Sequence, residues 1–391
     1  FSGHLLIGEN GRIISESSLF GDDSNMIIGD IDLGYLKYLR RKNNTIKEAG
    51  RINQCVYHTT NFNACFSDQG FMLQRQLSKT PFVPKEDKEQ AFRKILAILI
   101  AGLSRRITHL NADNVILGLS GGLDSTLAFL VLYETFLALN KDLVGIKSIT
   151  MPGLATGEKT LNNALNLVDS LGLKCETIDI KEVTKIHLHL IKHDINAKDV
   201  TYENTQARIR YNLLFNKANQ SGGFVLGTAD MSELALGWCT YNGDHMSNYN
   251  INCGLPKTVV KFMIEGFALY IHRNNKLLKD TLNVVLSAPI SPELSDRNQK
   301  TEDFIGKYEI NDFILYRFLV VGDSENRIDY LLGETFGLSQ VERKEYLKRF
   351  FRRFFTSQFK RSAQPEGPKV FEVSLSSRTD WKMPSDAYYA D

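Results

Sequence analysis

The sequence predicts an α/β fold, a doubly wound parallel sheet preceded by a short β-rich segment. Three observations predict it. Short apolar runs at 114–119 and 223–228 fit strands buried in a parallel sheet, and further strands read at 142–150 and 174–180. Helix-patterned segments at 126–139 and 158–171 alternate with them. A glycine-rich turn joins the first run to the first of these helices. With 391 residues, 43% of them hydrophobic, the chain is large enough for about two domains.

The elements follow in order. His4 to Gly8 and Arg12 to Ile14 flank Asn10-Gly11, a strong hairpin signal. Met26 to Ile31 reads as a further strand, and 33–49 as one basic helix. Residues 51–88 lack periodicity and contain Pro81-Phe82-Val83-Pro84, which marks a linker. Phe92, Ile95, Leu96 and Leu99 fall at helical spacing in a helix over 86–111. Near the C-terminus, Lys344 to Arg361 interleaves basic residues with five phenylalanines. That reads as an amphipathic helix with its rings turned inward.

Composition removes several classes of function. The formal net charge of +2 does not call for a nucleic-acid partner. The five cysteines, Cys55, Cys65, Cys175, Cys239 and Cys253, are scattered with no C-x-x-C pair, which favours reduced thiols over a disulfide scaffold or a structural zinc. No apolar run reaches the ~20 residues of a membrane span. The eight histidines show no ligand spacing, and His187 and His189 read as structural.

The sharpest motif is Gly118-Leu119-Ser120-Gly121-Gly122-Leu123-Asp124-Ser125, set between a strand and a helix. Paired glycines let the backbone approach an anion, and the helix start offers unpaired N–H groups. Ser120 and Ser125 add hydroxyls. Asp124 would repel a phosphate unless a Mg²⁺ ion bridges the two, so the loop points to a phosphate group held with Mg²⁺. No lysine follows the glycines, which excludes the G-x-x-x-x-G-K-[ST] loop.

The loop resembles the S-G-G-x-D-S loop of enzymes that split ATP into AMP and pyrophosphate. Later segments narrow the resemblance. Glu203 to Arg210, Leu226 to Tyr241, Asn242 to Met246, Leu255 to Thr258, Ser291 to Leu294, Gln299 to Asp303, Gln358 to Arg361 and Asp380 to Asp386 are all similar to segments of the NAD⁺ synthetase family. The likeness runs from about residue 86 to 387 and is nearest the long, glutamine-dependent bacterial form. Thr379 departs from it, where the family has Gly.

This resemblance implies an adenine nucleotide alpha hydrolase-like fold. It implies amidation of nicotinic acid adenine dinucleotide through an acyl-adenylate, with ATP, Mg²⁺ and ammonia. It implies ATP contacts at 118–125 and Thr228, and metal ligation by Asp124 and Glu233. Contacts to the deamidated dinucleotide fall on Asn204, Glu233, Trp238, Cys239, Thr240, Tyr241 and Lys360. Arg208 and Arg210 are open between phosphate pairing and surface ion pairs. Residues 1–50 look like the tail of a nitrilase-like glutaminase domain, 51–88 a linker and 89–391 the synthetase. The glutaminase triad of Glu, Lys and Cys lies upstream of the part resembled, and neither Cys55 nor Cys65 has the flanks of its nucleophile. A cytoplasmic homo-oligomer without nucleic-acid or membrane partners is expected. The rivals are another pyrophosphate-loop ligase and a non-catalytic nucleotide-binding module.

Overall fold

The computed structural model describes residues 3–20, 26–52, 58–61, 72–290 and 301–390. Ser291 to Leu294, Gln299-Lys300, Cys55 and Cys65 lie outside them. The chain forms two compact units, Phe1–Lys79 with Tyr316–Lys344, and Thr80–Leu315 with Glu345–Asp391.

In the first unit, β1 (Leu6–Glu9) and β2 (Arg12–Glu16) pair antiparallel. Asn10 and Gly11 turn between them with φ of 47° and 76°, as a two-residue hairpin requires. The strand expected at 26–31 does not form. Its side chains alternate between exposed and half-buried, but its backbone joins no ladder. Gly29 packs on Ile7 and Ile14 instead, and Asp30 accepts from the backbone N–H groups of Gln74 and Arg75. The single basic helix expected at 33–49 is two, α1 (Leu33–Lys42) and α2 (Asn44–Ile52). Asn43 breaks it with extended ψ, and its side-chain oxygen accepts from Thr45 N, restarting the helix.

The second unit holds the sheet. Its elements are α3 (Lys88–Leu110), β3 (Val115–Gly118), α4 (Leu123–Ala138), β4 (Ile146–Thr150), α5 (Glu158–Asp169), β5 (Cys175–Thr177), α6 (Lys181–Leu190), α7 (Val200–Ser221), β6 (Phe224–Gly227), α8 (Met231–Leu236), β7 (Tyr249–Asn250), α9 (Lys257–Gly266), α10 (Lys276–Ser287), α11 (Thr301–Ile305) and α12 (Tyr308–Tyr316). The strand order is β5-β4-β3-β6-β7, all parallel. The predicted parallel α/β sheet is therefore present. Ile116, Ile149 and Val225 pack with Leu214 and Ala218 of α7 on one face. α4 is apolar nearly all round and is buried along most of its length.

Chain order reverses at β3. The path steps outward through β4 and β5, then returns to β6 on the other side. Such a switch point opens a crevice at the carboxyl ends of the strands, where open α/β sheets take ligands. The loops after β3 and β6 leave from there.

α13 (Glu325–Phe336) belongs to the first unit, where Arg317 and Arg327 each pair with both Asp32 and Asp323. α14 (Gln340–Thr356) and α15 (Gln358–Ser362) follow, with Phe350, Phe351 and Phe354 buried as the amphipathic reading expects. No helix among the described residues is long and apolar enough to cross a membrane.

Candidate active site

The phosphate-loop motif folds as strand, turn and helix. Leu119 N donates to Ile149 O as the strand ends. Ser120 and Ser125 then brace the turn: their hydroxyls lie 3.1 Å apart, Ser120 Oγ accepts from Gly122 N, and Ser125 Oγ accepts from Ser120 N. Gly121 has φ of +83°, and a Cβ there would stand 2.2 Å from Thr160 O, so glycine is required twice over. Gly122 caps α4 without a side-chain hydrogen bond, leaving the first-turn N–H groups to a ligand. Leu119 and Leu123 turn their side chains into the core, which limits their part in the loop to backbone.

Asp124, in the first turn of α4, meets residues of two later segments. Lys257, at the start of α9, is wholly buried. Its ammonium lies 2.6 Å from Asp124 Oδ2, 2.7 Å from Asp230 Oδ2 and 3.0 Å from Glu233 Oε1. The three carboxylates offer oxygens all within 4.8 Å of one another. Burial pushes Glu233 up to about 7, and Lys257 opposes that. Burial works likewise on Asp230. Burial also disfavours the Lys257 charge, but the three carboxylates together outweigh it and hold the ammonium charged. One ammonium against three acids leaves room for a second cation. Among the described residues, Asp124 Oδ1 is buried without a hydrogen-bond partner, the condition of an oxygen that awaits one. The set fits a hard divalent ion such as Mg²⁺.

Asp230, Ser232, Asn252, Lys257 and Asp312, to which the sequence assigned no role, hold the cluster together. Asp230 and Glu233 form a reciprocal capping box on α8, so Glu233 caps with Oε2 while Oε1 faces Lys257. Asp312, buried on α12, accepts from Ser232 Oγ at 2.5 Å and from Thr258 N and Oγ1 at 2.9 and 2.7 Å. Ser232 Oγ in turn accepts from Lys257 N. One carboxylate thus ties the first turns of α8 and α9 together, and desolvation raises its own pKa to about 6. Asn252 donates to Asp124 O and Thr228 O, both at 2.9 Å, joining the loops after β3 and β6.

The residues expected to hold a dinucleotide gather beyond α8. Thr240 Oγ1 donates to Asn204 Oδ1 at 2.7 Å, and Thr240 N donates to Asp244. Lys360 donates to Gly237 O and Cys239 O at 2.7 and 2.6 Å. Arg361, fully buried, donates to Leu234 O and Ala235 O at the end of α8. Tyr241 is 44% exposed and lies against His245 and Phe359. Trp238 packs on Phe304 and under Arg353. Arg208 donates to Tyr241 O, and Arg210 to Met151 O and Thr156 Oγ1, so both bond within the fold. His187 and His189 are exposed on α6.

The profile of the NAD synthase family matches residues 95–364, which include the phosphate loop, α8, Lys257 and Lys360. This chain belongs to the NAD synthase family. It is 34% identical to the glutamine-dependent NAD(+) synthetase of Mycobacterium tuberculosis over 420 aligned positions, covering 99% of this chain and 62% of that protein. The chain thus spans less than two thirds of that relative's length. Among solved structures, a glutamine-dependent NAD(+) synthetase from Cytophaga hutchinsonii superposes with a TM-score of 0.60 at 18% identity, over 76% of this chain and 54% of that one. An NMN synthetase from Francisella tularensis does so with 0.51 at 21%, over 68% and 92%. At these identities the two structures speak for the fold. Within a NAD synthase family chain, the meeting of Asp124 with Glu233 draws together two motifs that stand more than a hundred positions apart in sequence.

Proposed function

We propose that this chain amidates nicotinic acid adenine dinucleotide to NAD⁺ at the expense of ATP. The observation that carries the reading is the Asp124, Asp230 and Glu233 cluster around Lys257, at the mouth of a loop built for phosphate. A carboxylate oxygen of the dinucleotide attacks the α-phosphorus of ATP, and the bond to pyrophosphate breaks. Ammonia then attacks the acyl carbon, loses a proton, and AMP leaves. Neither half needs a protein nucleophile, only positioning and charge neutralisation.

Each residue has a task in this scheme. The first-turn N–H groups of α4 and the hydroxyls of Ser120 and Ser125 receive phosphate oxygens, and Thr228 borders the nucleotide. Lys257 offsets the repulsion among Asp124, Asp230 and Glu233 and keeps their oxygens together. Asp124 and Glu233 would hold Mg²⁺, with Asp230 as a third oxygen donor. Bound there, the ion would neutralise phosphate charge as a Lewis acid. Asn204, Thr240, Tyr241, Trp238, Cys239 and Lys360 frame the dinucleotide.

The same reading assigns 1–50 to the tail of a nitrilase-like glutaminase domain, 51–88 to a linker and 89–391 to the synthetase of the pyrophosphate-loop superfamily. It places a homo-oligomer in the cytoplasm, in keeping with the free thiols of Cys175, Cys239 and Cys253. The test is an assay of the purified chain with ATP, Mg²⁺ and the dinucleotide, with ammonium chloride or glutamine as nitrogen donor. NAD⁺ and pyrophosphate in equal amounts from ammonia support the reading. ATP binding with no pyrophosphate from either donor overturns it in favour of a non-catalytic module.

A further inference from the structure

Arg349 and Arg353 stand one turn apart on α14, on the side that faces Trp238 and Tyr308. The Arg353 guanidinium lies 5.1 Å from the Trp238 ring centre. The Arg349 guanidinium lies 4.8 Å from the Tyr346 ring centre, with a terminal nitrogen beside Gly306. Both side chains are half-buried. Among the described residues neither makes a hydrogen bond or an ion pair, and Arg349 Nε is buried without an acceptor. Arg343, on the same helix, is by contrast paired with Asp329.

A third polar group neighbours Arg353. Tyr308 is almost wholly buried, and its hydroxyl has no hydrogen-bond partner among the described residues. Its ring takes the Lys257 ammonium at 5.0 Å, and it is an electrostatic neighbour of Arg353. Two like charges at i and i+4 repel, and partial burial makes each dearer. Burial first, and Arg349 second, lower the pKa of Arg353. Aromatic faces on Trp238 and Tyr346 hold the two forks without supplying an acceptor. An arriving oxyanion would offer acceptors to the two guanidinium forks, to the buried Arg349 Nε and to a phenol without a partner among the described residues.

We propose that Arg349, Arg353 and the Tyr308 hydroxyl form a subsite for a phosphate group of a nucleotide substrate. The assignment rests on the function proposed above and adds a phosphate contact to it. The guanidinium forks suit the two-oxygen edge of a phosphate, and Tyr308 sets the subsite next to Lys257. The phosphate comes from ATP or from the diphosphate bridge of the dinucleotide, and binding measurements separate the two sources.

The full chain is titrated by calorimetry with inorganic pyrophosphate, with ATP and Mg²⁺, and with the dinucleotide. Wild type is compared with Arg349→Met, Arg353→Met and, as a control, the exposed Arg352→Met. Each of the first two variants should lose roughly tenfold in affinity for one ligand, while the control loses none. Loss with ATP and pyrophosphate assigns the subsite to ATP, and loss with the dinucleotide alone assigns it there. Unchanged affinities in variants that unfold at the wild-type midpoint overturn the subsite. Should a methionine variant not fold, Arg353→Lys keeps the charge but not the fork. A severalfold weakening then supports the subsite, and wild-type affinity overturns it. A wild-type chain that makes NAD⁺ while its variants bind normally keeps the function and loses the subsite. One that binds pyrophosphate through these arginines but makes no NAD⁺ keeps the subsite and loses the function.

Discussion

The Lys257 ammonium sits 2.6 Å from Asp124 Oδ2, although 132 intervening residues separate them in the chain and neither is exposed enough to be well hydrated. Removing the cation leaves three acids facing one another in a buried space. Lys257→Met should destabilise the chain by about 3–5 kcal/mol, as for other broken buried pairs. Added Mg²⁺ should recover more of that loss than it adds to wild type, since the proposed ion enters the same set of oxygens. Urea unfolding with and without Mg²⁺ measures both, and equal stabilisation of the two proteins by Mg²⁺ would count against a shared cation site.

Asp312 acts one step away from the cluster. Asp312→Ala leaves Thr258 N and Ser232 Oγ without their acceptor, at a cost of about 1–3 kcal/mol. Its effect on ATP affinity should shrink in a Lys257→Met background, because the tie works by placing that ammonium. A double-mutant cycle on ATP binding reads the coupling, and strictly additive losses would make the tie purely structural.

Gly121→Ala meets two obstacles, a left-handed backbone and Thr160 O at 2.2 Å from the new carbon. The backbone alone costs about 1–2 kcal/mol. Because relief requires the loop to shift, ATP affinity should fall further than global stability does. Gly157→Ala, where a Cβ meets nothing within 4 Å, is the matched control. Calorimetry beside thermal melting separates the two effects.

His245 supplies a pH dependence. Burial, then the Lys360 charge, lower its pKa to about 4, while its Nδ1 accepts from Asn242 N. Between the ordinary histidine range near 6.5 and about 4, the unfolded chain takes up a proton that the folded chain refuses. This contribution to stability is full above about pH 6.5 and is lost as pH falls toward 4. His245→Gln should flatten the decline in that window, as denaturant midpoints at several pH values would show.

Much of the fold was legible because local pattern and global position agree. Val115 to Gly118 is buried on both faces, so its apolar run has no competing reading, and Gly121-Gly122 marks the turn that follows. Met26 to Ile31 shows the limit. Its alternation describes side-chain exposure, while a strand needs a neighbour with free backbone groups, which no local pattern reports. Asp124 and Glu233 came from the family likeness. Lys257 and Asp230 lay within the quoted segments, yet no role was read from them. Their roles arise from contact between α4, α8 and α9, which spacing does not encode. Asp312 was missed altogether, since a buried aspartate in an apolar helix stands 80 positions from the Ser232 it holds. The return of Tyr316–Lys344 to the N-terminal unit is likewise a matter of tertiary pairing, here through Arg317 and Arg327 with Asp32.

α8 is only six residues long and is fastened at both ends. Asp230 and the Asp312–Ser232 tie hold its start, and Arg361 and Lys360 hold its end and the turn beyond. Elements so short usually follow whatever packs on them, whereas this one works as a fixed gauge. The span from Glu233 to Thr240 is set before any ligand arrives. For a ligase of the proposed kind, selection between substrates would then depend on molecular length: a carboxylate carried on a shorter nucleotide could occupy either end of the gauge but not both.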